Sequence, residues 1–164
     1  MRYAGLIKND IAAAPGLCVT FFTQGCPHKC PGCHNPETWD FDGGLEFRPE
    51  LIKEIAAALT ANGIKRTFCI MGGEPLCPAN EFITYLLIME VRKRVPDVSI
   101  YIWTGYTIEE LLHRSDKMTT ILESIDCLID GPYIEKLHDA TLPMRGSSNQ
   151  RIIDMKTFDF SKNL

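Results

Sequence analysis

Between Gly25 and Asn35 the chain places three cysteines, Cys26, Cys30 and Cys33, within eight residues. The run is Gly-Cys-Pro-His-Lys-Cys-Pro-Gly-Cys-His-Asn, and its prolines and glycines bar it from helix and strand. A loop that must hold three thiols together has to be anchored by rigid elements at both ends. Structural zinc takes four protein ligands, so Cys-x3-Cys-x2-Cys is a ligand set with one position left open. Three thiolates can hold three irons of a 4Fe–4S cluster and leave the fourth for a substrate. Zinc is the alternative, with His28 or His34 as fourth ligand, although His34 adjoins Cys33 and the two are strained as ligands of one ion. A thioredoxin-like dithiol, Cys30-Pro31-Gly32-Cys33, is a third reading, and it leaves Cys26 without a role.

The other four of the seven cysteines are scattered. An odd count in a chain of this kind argues against a disulfide framework. Cys18, Cys69 and Cys127 lie in apolar runs and are read as small buried hydrophobes, as is Cys77 after the turn at Gly72. The formal net charge of -4 gives no support to a broad basic surface, so nucleic acid is not an expected partner. No apolar run approaches ~18–20 residues, so no membrane span is expected. Met1 to Asn9 lacks the apolar core of a signal peptide. The expectation is one cytoplasmic domain over residues 1–164.

Taken in order, Met1 to Ile7 predicts a short edge strand and Asn9 to Gly16 a loop. Leu17 to Thr23 is β-branched and aromatic between glycines, which predicts a buried strand. Pro49 opens a helix with an apolar face at Leu51, Ile52, Ile55, Ala56 and Leu59, closed by Asn62-Gly63. Arg66 to Met71 is a second strand, followed by a helix from Asn80 to about Arg94. The cations Arg92, Lys93 and Arg94 suit its C-terminal dipole. Val98 to Trp103 is a third strand. Thr107-x-x-Glu110 is a capping box before a short helix. A further helical piece covers Met118 to Ser124, and Asp126 to Asp130 is a fourth strand. Leu137 to Gln150 reads as loop and Arg151 to Met155 as a last strand.

This alternation predicts βαβ units around a mostly parallel sheet. A closed eight-stranded barrel needs ~200–250 residues, more than the chain has. The candidates are an open, incomplete β/α barrel and a doubly wound sheet, and both put the ligand site at the C-terminal strand ends. Four special turns fall there: the cysteine loop, Gly72-Gly73-Glu74-Pro75, Trp103-Thr104-Gly105-Tyr106 and Asp130-Gly131-Pro132-Tyr133. Paired glycines let a ligand approach bare backbone, and the exposed carbonyls with the Glu74 carboxylate suit an ammonium group.

These residues resemble the radical S-adenosylmethionine superfamily, through the cysteine spacing and Gly72-Gly73-Glu74. More narrowly, GCPHKCPGCHNPETW, WTGY at 103–106, Asp130-Gly131 and RGSSNQ at 145–150 resemble the activating proteins of anaerobic ribonucleoside-triphosphate reductases. The resemblance implies an incomplete β/α barrel of the radical-SAM type. It also implies a 4Fe–4S cluster that reductively cleaves S-adenosylmethionine, and a 5′-deoxyadenosyl radical that generates a glycyl radical on the reductase's catalytic subunit. Flavodoxin or ferredoxin is the implied electron donor. Carried over by position, Cys26, Cys30 and Cys33 are the cluster ligands. Gly72, Gly73 and Glu74 meet the methionine amino group, mainly through backbone. Gly32 and His34, flanking Cys33, lie against the adenine, and Cys33 counts with them among the cofactor-binding residues. Many superfamily members carry an aromatic residue where this chain has Gly32, so adenine contact there falls to backbone or to His34. Thr104 and Asp130 are candidates for ribose or carboxylate contact, or for strand-end capping. Trp39, Phe41 and Trp103 are read as core, and Arg145 to Gln150 as partner contact or solvated loop. The same cysteine loop also fits an activase of a formate-lyase-type glycyl-radical enzyme, or a non-catalytic zinc module.

Overall fold

The computed structural model describes residues 2–162. Its frame is four parallel strands, β2 (Cys18–Thr23), β4 (Thr67–Gly72), β5 (Ile100–Trp103) and β6 (Cys127–Asp130), paired in that order. β1 (Arg2–Asp10) lies antiparallel on β2, and β3 (Leu45–Glu46) lies antiparallel on β1. β7 (Arg151–Asp154) pairs antiparallel with β6. The result is one open seven-stranded sheet, ordered β3-β1-β2-β4-β5-β6-β7. The Met1 end of the predicted edge strand lies outside the described residues. The strand itself runs on to Asp10, further than its sequence suggested, and β3 has no counterpart in the sequence reading.

The connecting helices are α1 (Glu50–Thr60), α2 (Pro78–Arg94), α3 (Ile108–Leu112) and α4 (Asp116–Glu123). Parallel strands added in one direction through right-handed crossovers put every helix on the same face. The core follows from this. Val19, Phe21, Phe68, Ile70, Ile100, Ile102 and Leu128 alternate along the strands and meet Ile52, Ile55, Leu87, Ile88 and Ile121 of the helices. The intervening strand residues point the other way. Cys18 and Cys69 pack there with Met71, Tyr101 and Trp103 against Ala13, Ala14 and Met144, which belong to loops. A doubly wound sheet would carry helices on both faces, so that alternative is set aside.

The predicted capping box is present: the Glu110 amide donates to Thr107 Oγ1 and the Thr107 amide to Glu110 Oε2. Asn62, at φ 59°, ends the helical stretch where the sequence placed the stop. The start of α2 differs from expectation. Pro78 takes the first helical turn, and Asn80, two residues inside, turns its buried side chain back to donate to the Gln24 and Glu74 carbonyls at 3.0 Å. The cations ending α2 also do more than answer its dipole. Arg92 donates to the Ser124 and Val98 carbonyls and to Asp126.

Candidate active site

The C-terminal ends of β2, β4, β5 and β6 open into a cavity of about 670 Å³. Cys26, Cys30, Gly32, Cys33, His34, Gly72, Gly73 and Glu74 all line it, so the candidate cluster and cofactor residues are brought to one place. All seven cysteines are free thiols.

The cysteine loop is fixed by its ends. The Gly25 amide donates to the Thr38 carbonyl and the Cys26 amide to the Trp39 carbonyl, at 2.8 and 3.1 Å. The side chain of Gln24 reaches the Glu37 and Asp40 carbonyls and so braces the returning segment. Gly25 has φ +94°, and a Cβ there would overlap the Phe41 ring. Further along, the Cys33 amide closes a turn onto the Cys30 carbonyl, through Gly32 at φ +70°. Burial pushes the Cys26 thiol up to about 11, against the opposing pull of the His28 and Lys29 amides, and it raises Cys30 as well.

Paired glycines let two turns touch. The Gly73 amide donates to the Thr23 carbonyl and the Glu74 amide to the Gly25 carbonyl. A Cβ on Gly73 would lie 2.4 Å from the Gly25 carbonyl oxygen, so only bare backbone allows this approach.

The Glu74 side chain is not displayed to the cavity as an open carboxylate. The residue is 1% exposed and accepts four hydrogen bonds. Oε1 takes the Leu76 amide (2.9 Å) and the Thr104 hydroxyl (2.8 Å), and Oε2 takes His28 Nε2 (2.9 Å) and the Gly105 amide (2.7 Å). His28, weighed from sequence only as a zinc ligand, is thereby committed to Glu74. Thr104 is committed too, so it caps its strand end. Asp130 behaves likewise: fully buried, it accepts from the Ile108 amide and from Arg151, which also pairs with Glu109.

Two expectations are refined. Trp103 packs against the second core cluster, as expected, and with Trp39 also forms part of the cavity wall. Trp103 is held there by donating Nε1–H to the Met144 carbonyl at 2.7 Å. Phe41 is 42% exposed and lies over Gly25 rather than in the core. The stretch 145–150 is a built wall rather than a solvated loop. Gln150 accepts from the amides of Gly146 and Ser147 and donates to the Gly131 carbonyl, and Asn149 donates to the Pro132 carbonyl. Arg145, Gly146 and Gln150 face the cavity. His34 is exposed at its rim, and a Cβ on Gly32 would meet the Glu135 side chain. Cys18, Cys69, Cys77 and Cys127 are buried, as expected. Sequence reading gave no role to Asn80, Tyr106 or Arg114. Nothing local marks them, because each gains its role through a partner distant in the chain: Asn80 through Gln24, Tyr106 through His28 and Arg114 through Leu76.

The cavity suits a cluster with an attached ligand. Among the described residues no three His, Cys, Asp or Glu side chains converge as they would on a single ion. A 4Fe–4S cluster needs no such convergence, since each cysteine binds a different iron. Two donors on the wall, Trp39 Nε1 and Arg145 Nε, are buried without a hydrogen-bond partner. A group with acceptor atoms held in the cavity would pair such donors.

A family model described as "4Fe-4S single cluster domain" matches residues 12–153. A protein of Vibrio cholerae serotype O1 named anaerobic ribonucleoside-triphosphate reductase-activating protein is 38% identical, over 93% of this chain and 97% of its own length. The chain belongs to this iron–sulfur family of activating proteins. The like-named proteins of Escherichia coli K12 and Enterobacteria phage T4 are each 36% identical. They cover 92% and 93% of the chain, and 96% and 93% of their own lengths. Among the family's activating proteins, then, the cysteine loop of this chain is read as a cluster loop, and the zinc and dithiol alternatives lose their support.

Proposed function

We propose that this chain activates an anaerobic ribonucleoside-triphosphate reductase by generating its glycyl radical, as a single radical-SAM domain of the incomplete β/α-barrel type. The observation that carries this is the joining of three thiols and the Gly72-Gly73 backbone on one cavity. Helices on one face only and a sheet left open at both edges support the barrel reading. Cys26, Cys30 and Cys33 would hold a 4Fe–4S cluster. When bound, the cluster supplies one electron for cleavage of S-adenosylmethionine to methionine and a 5′-deoxyadenosyl radical, which takes a hydrogen atom from the reductase glycine.

The chain's own residues orient and shield. The backbone of Gly72, Gly73 and Glu74 presents its edge to the ligand's amino group. Gly32, Cys33 and His34, which line the cavity, would take the adenine, and Trp39 and Trp103 would wall it. An electron donor such as flavodoxin or ferredoxin completes the cycle. Among the described residues no helix is long and apolar enough to cross a membrane, and reduced cytoplasm suits seven free thiols.

The test is anaerobic reconstitution with iron and sulfide, followed by reduction with S-adenosylmethionine and the reductase. The expected result is four irons per chain, methionine release and a glycyl-radical EPR doublet on the reductase. A doublet on a formate-lyase-type enzyme and none on the reductase would reassign the partner. A colourless protein holding one zinc and refusing iron would end the enzyme reading. Cys30→Ala is expected to keep the fold and abolish methionine formation.

A further inference from the structure

We infer that the Glu74 side chain is a positioning group that holds the cysteine loop through His28, and that its carboxylate is not a contact for the ligand's ammonium group. This rests on the reading of the cavity as the site of a cluster and S-adenosylmethionine. An ionised carboxylate has about four acceptor positions. In Glu74 four protein donors occupy them, from three separate turns. Leu76 comes from its own turn, Thr104 and Gly105 from the end of β5, and His28 from between Cys26 and Cys30. Nothing remains to accept from an ammonium group, whose recognition then falls to backbone carbonyls alone.

The connection to His28 is built in depth. The imidazole stands edge-on to the Tyr106 ring at 4.4 Å between centroids. The Arg114 guanidinium covers Tyr106 at 3.7 Å, within the range of a cation–π contact. Arg114 in turn donates to the Leu76 carbonyl at 2.8 Å, and the Leu76 amide returns to Glu74. The contacts therefore close a ring: Glu74, His28, Tyr106, Arg114, Leu76. Gly105 lets the imidazole sit tightly, since a Cβ there would lie 2.6 Å from His28 Cδ2. The loop's first and second cysteines are thus fixed by a side chain between them, before any metal arrives. Residues that orient metal ligands from behind typically change metal retention by about 10–100-fold when lost.

The experiment uses the full chain, reconstituted anaerobically, with iron loss to an excess of chelator as the main readout. His28→Ala is expected to speed iron loss about tenfold, and to change the EPR line shape of the reduced cluster. His28→Gln, whose amide nitrogen reaches the same carboxylate oxygen, is expected to restore slow loss. Tyr106→Leu, outside the cysteine loop, is expected to act in the same direction as His28→Ala, and it serves if His28→Ala does not fold. Glu74→Gln is expected to speed iron loss, with the His28→Ala/Glu74→Gln double variant no worse than either single one. The inference is overturned if Glu74→Gln leaves iron loss unchanged but weakens binding of S-adenosylmethionine and not of its deaminated analogue. It is equally overturned if wild-type, His28→Ala and Tyr106→Leu proteins lose iron at the same rate. A wild-type protein that retains no iron would instead remove the underlying reading of the cavity.

Discussion

With all its acceptor positions taken, the Glu74 carboxylate leaves ligand recognition to other groups on the wall, and Arg145 is the one that stands out. It donates Nη1–H to the Gln150 carbonyl at 3.1 Å while its Nε stays buried and unmatched. A guanidinium hydrogen bond to an anionic group is worth roughly 1.5–3 kcal/mol. If the cavity holds S-adenosylmethionine as proposed, with its carboxylate at this guanidinium, Arg145→Met is expected to weaken its binding by about tenfold or more. The decarboxylated analogue should bind wild type and variant alike; calorimetry on the reconstituted protein makes the comparison. A second residue-scale prediction concerns pH. The Arg151 guanidinium beside Glu109 holds its carboxyl down to about 2, with help from backbone. A depressed carboxyl stabilises the fold above its unfolded value and loses that contribution as pH falls through the folded one. The stability difference between wild type and Glu109→Gln should thus be constant above roughly pH 4.5 and disappear as pH approaches about 2. Glu109 is largely solvated, so the difference is expected to be small and reduced by salt; acid unfolding of both proteins measures it.

At the scale of elements, the cysteine loop depends on the β4–α2 turn lying against it. Gly73→Ala would press a methyl onto the Gly25 carbonyl. The expected outcome is slower cluster assembly with the helices intact, seen as reduced iron content at unchanged far-ultraviolet circular dichroism. How far these elements could be read in advance depended on the range of the forces that make them. The strands carrying VTFF, FCIM, YIW and LID announce themselves by β-branched and aromatic content, and Thr107 with Glu110 announces a cap, because such signals act within a few residues. The three cysteines likewise carry their ligand spacing in one loop. The two-residue strand β3 has no local signal, since it exists only by pairing with β1. Trp103 reads as core by composition and does pack there, and only the fold shows that it and Trp39 also wall the cavity. His28 needs Glu74, 46 positions on, to acquire its role, and the 145–150 stretch needs the turn after β6.

For the whole molecule, stability and chemistry are laid on opposite faces of one sheet. The helix-side face holds the fully buried aliphatic and aromatic side chains, Phe68 among them. Phe68→Ala is expected to cost about 3–5 kcal/mol, measured by denaturant unfolding of the protein, while the cavity face keeps its lining. That face is covered by loops, held to the sheet through contacts such as Trp103 to Met144. Backbone amides on the two sides will therefore exchange with solvent at different rates, because opening a loop needs far less free energy than breaching a packed helix layer. Deuterium uptake should be slow in α1, α2 and the central strands, and fast at 11–16 and 140–144. Occupying the cavity should quiet only the fast set, so that the molecule carries its own internal reference against which binding can be timed.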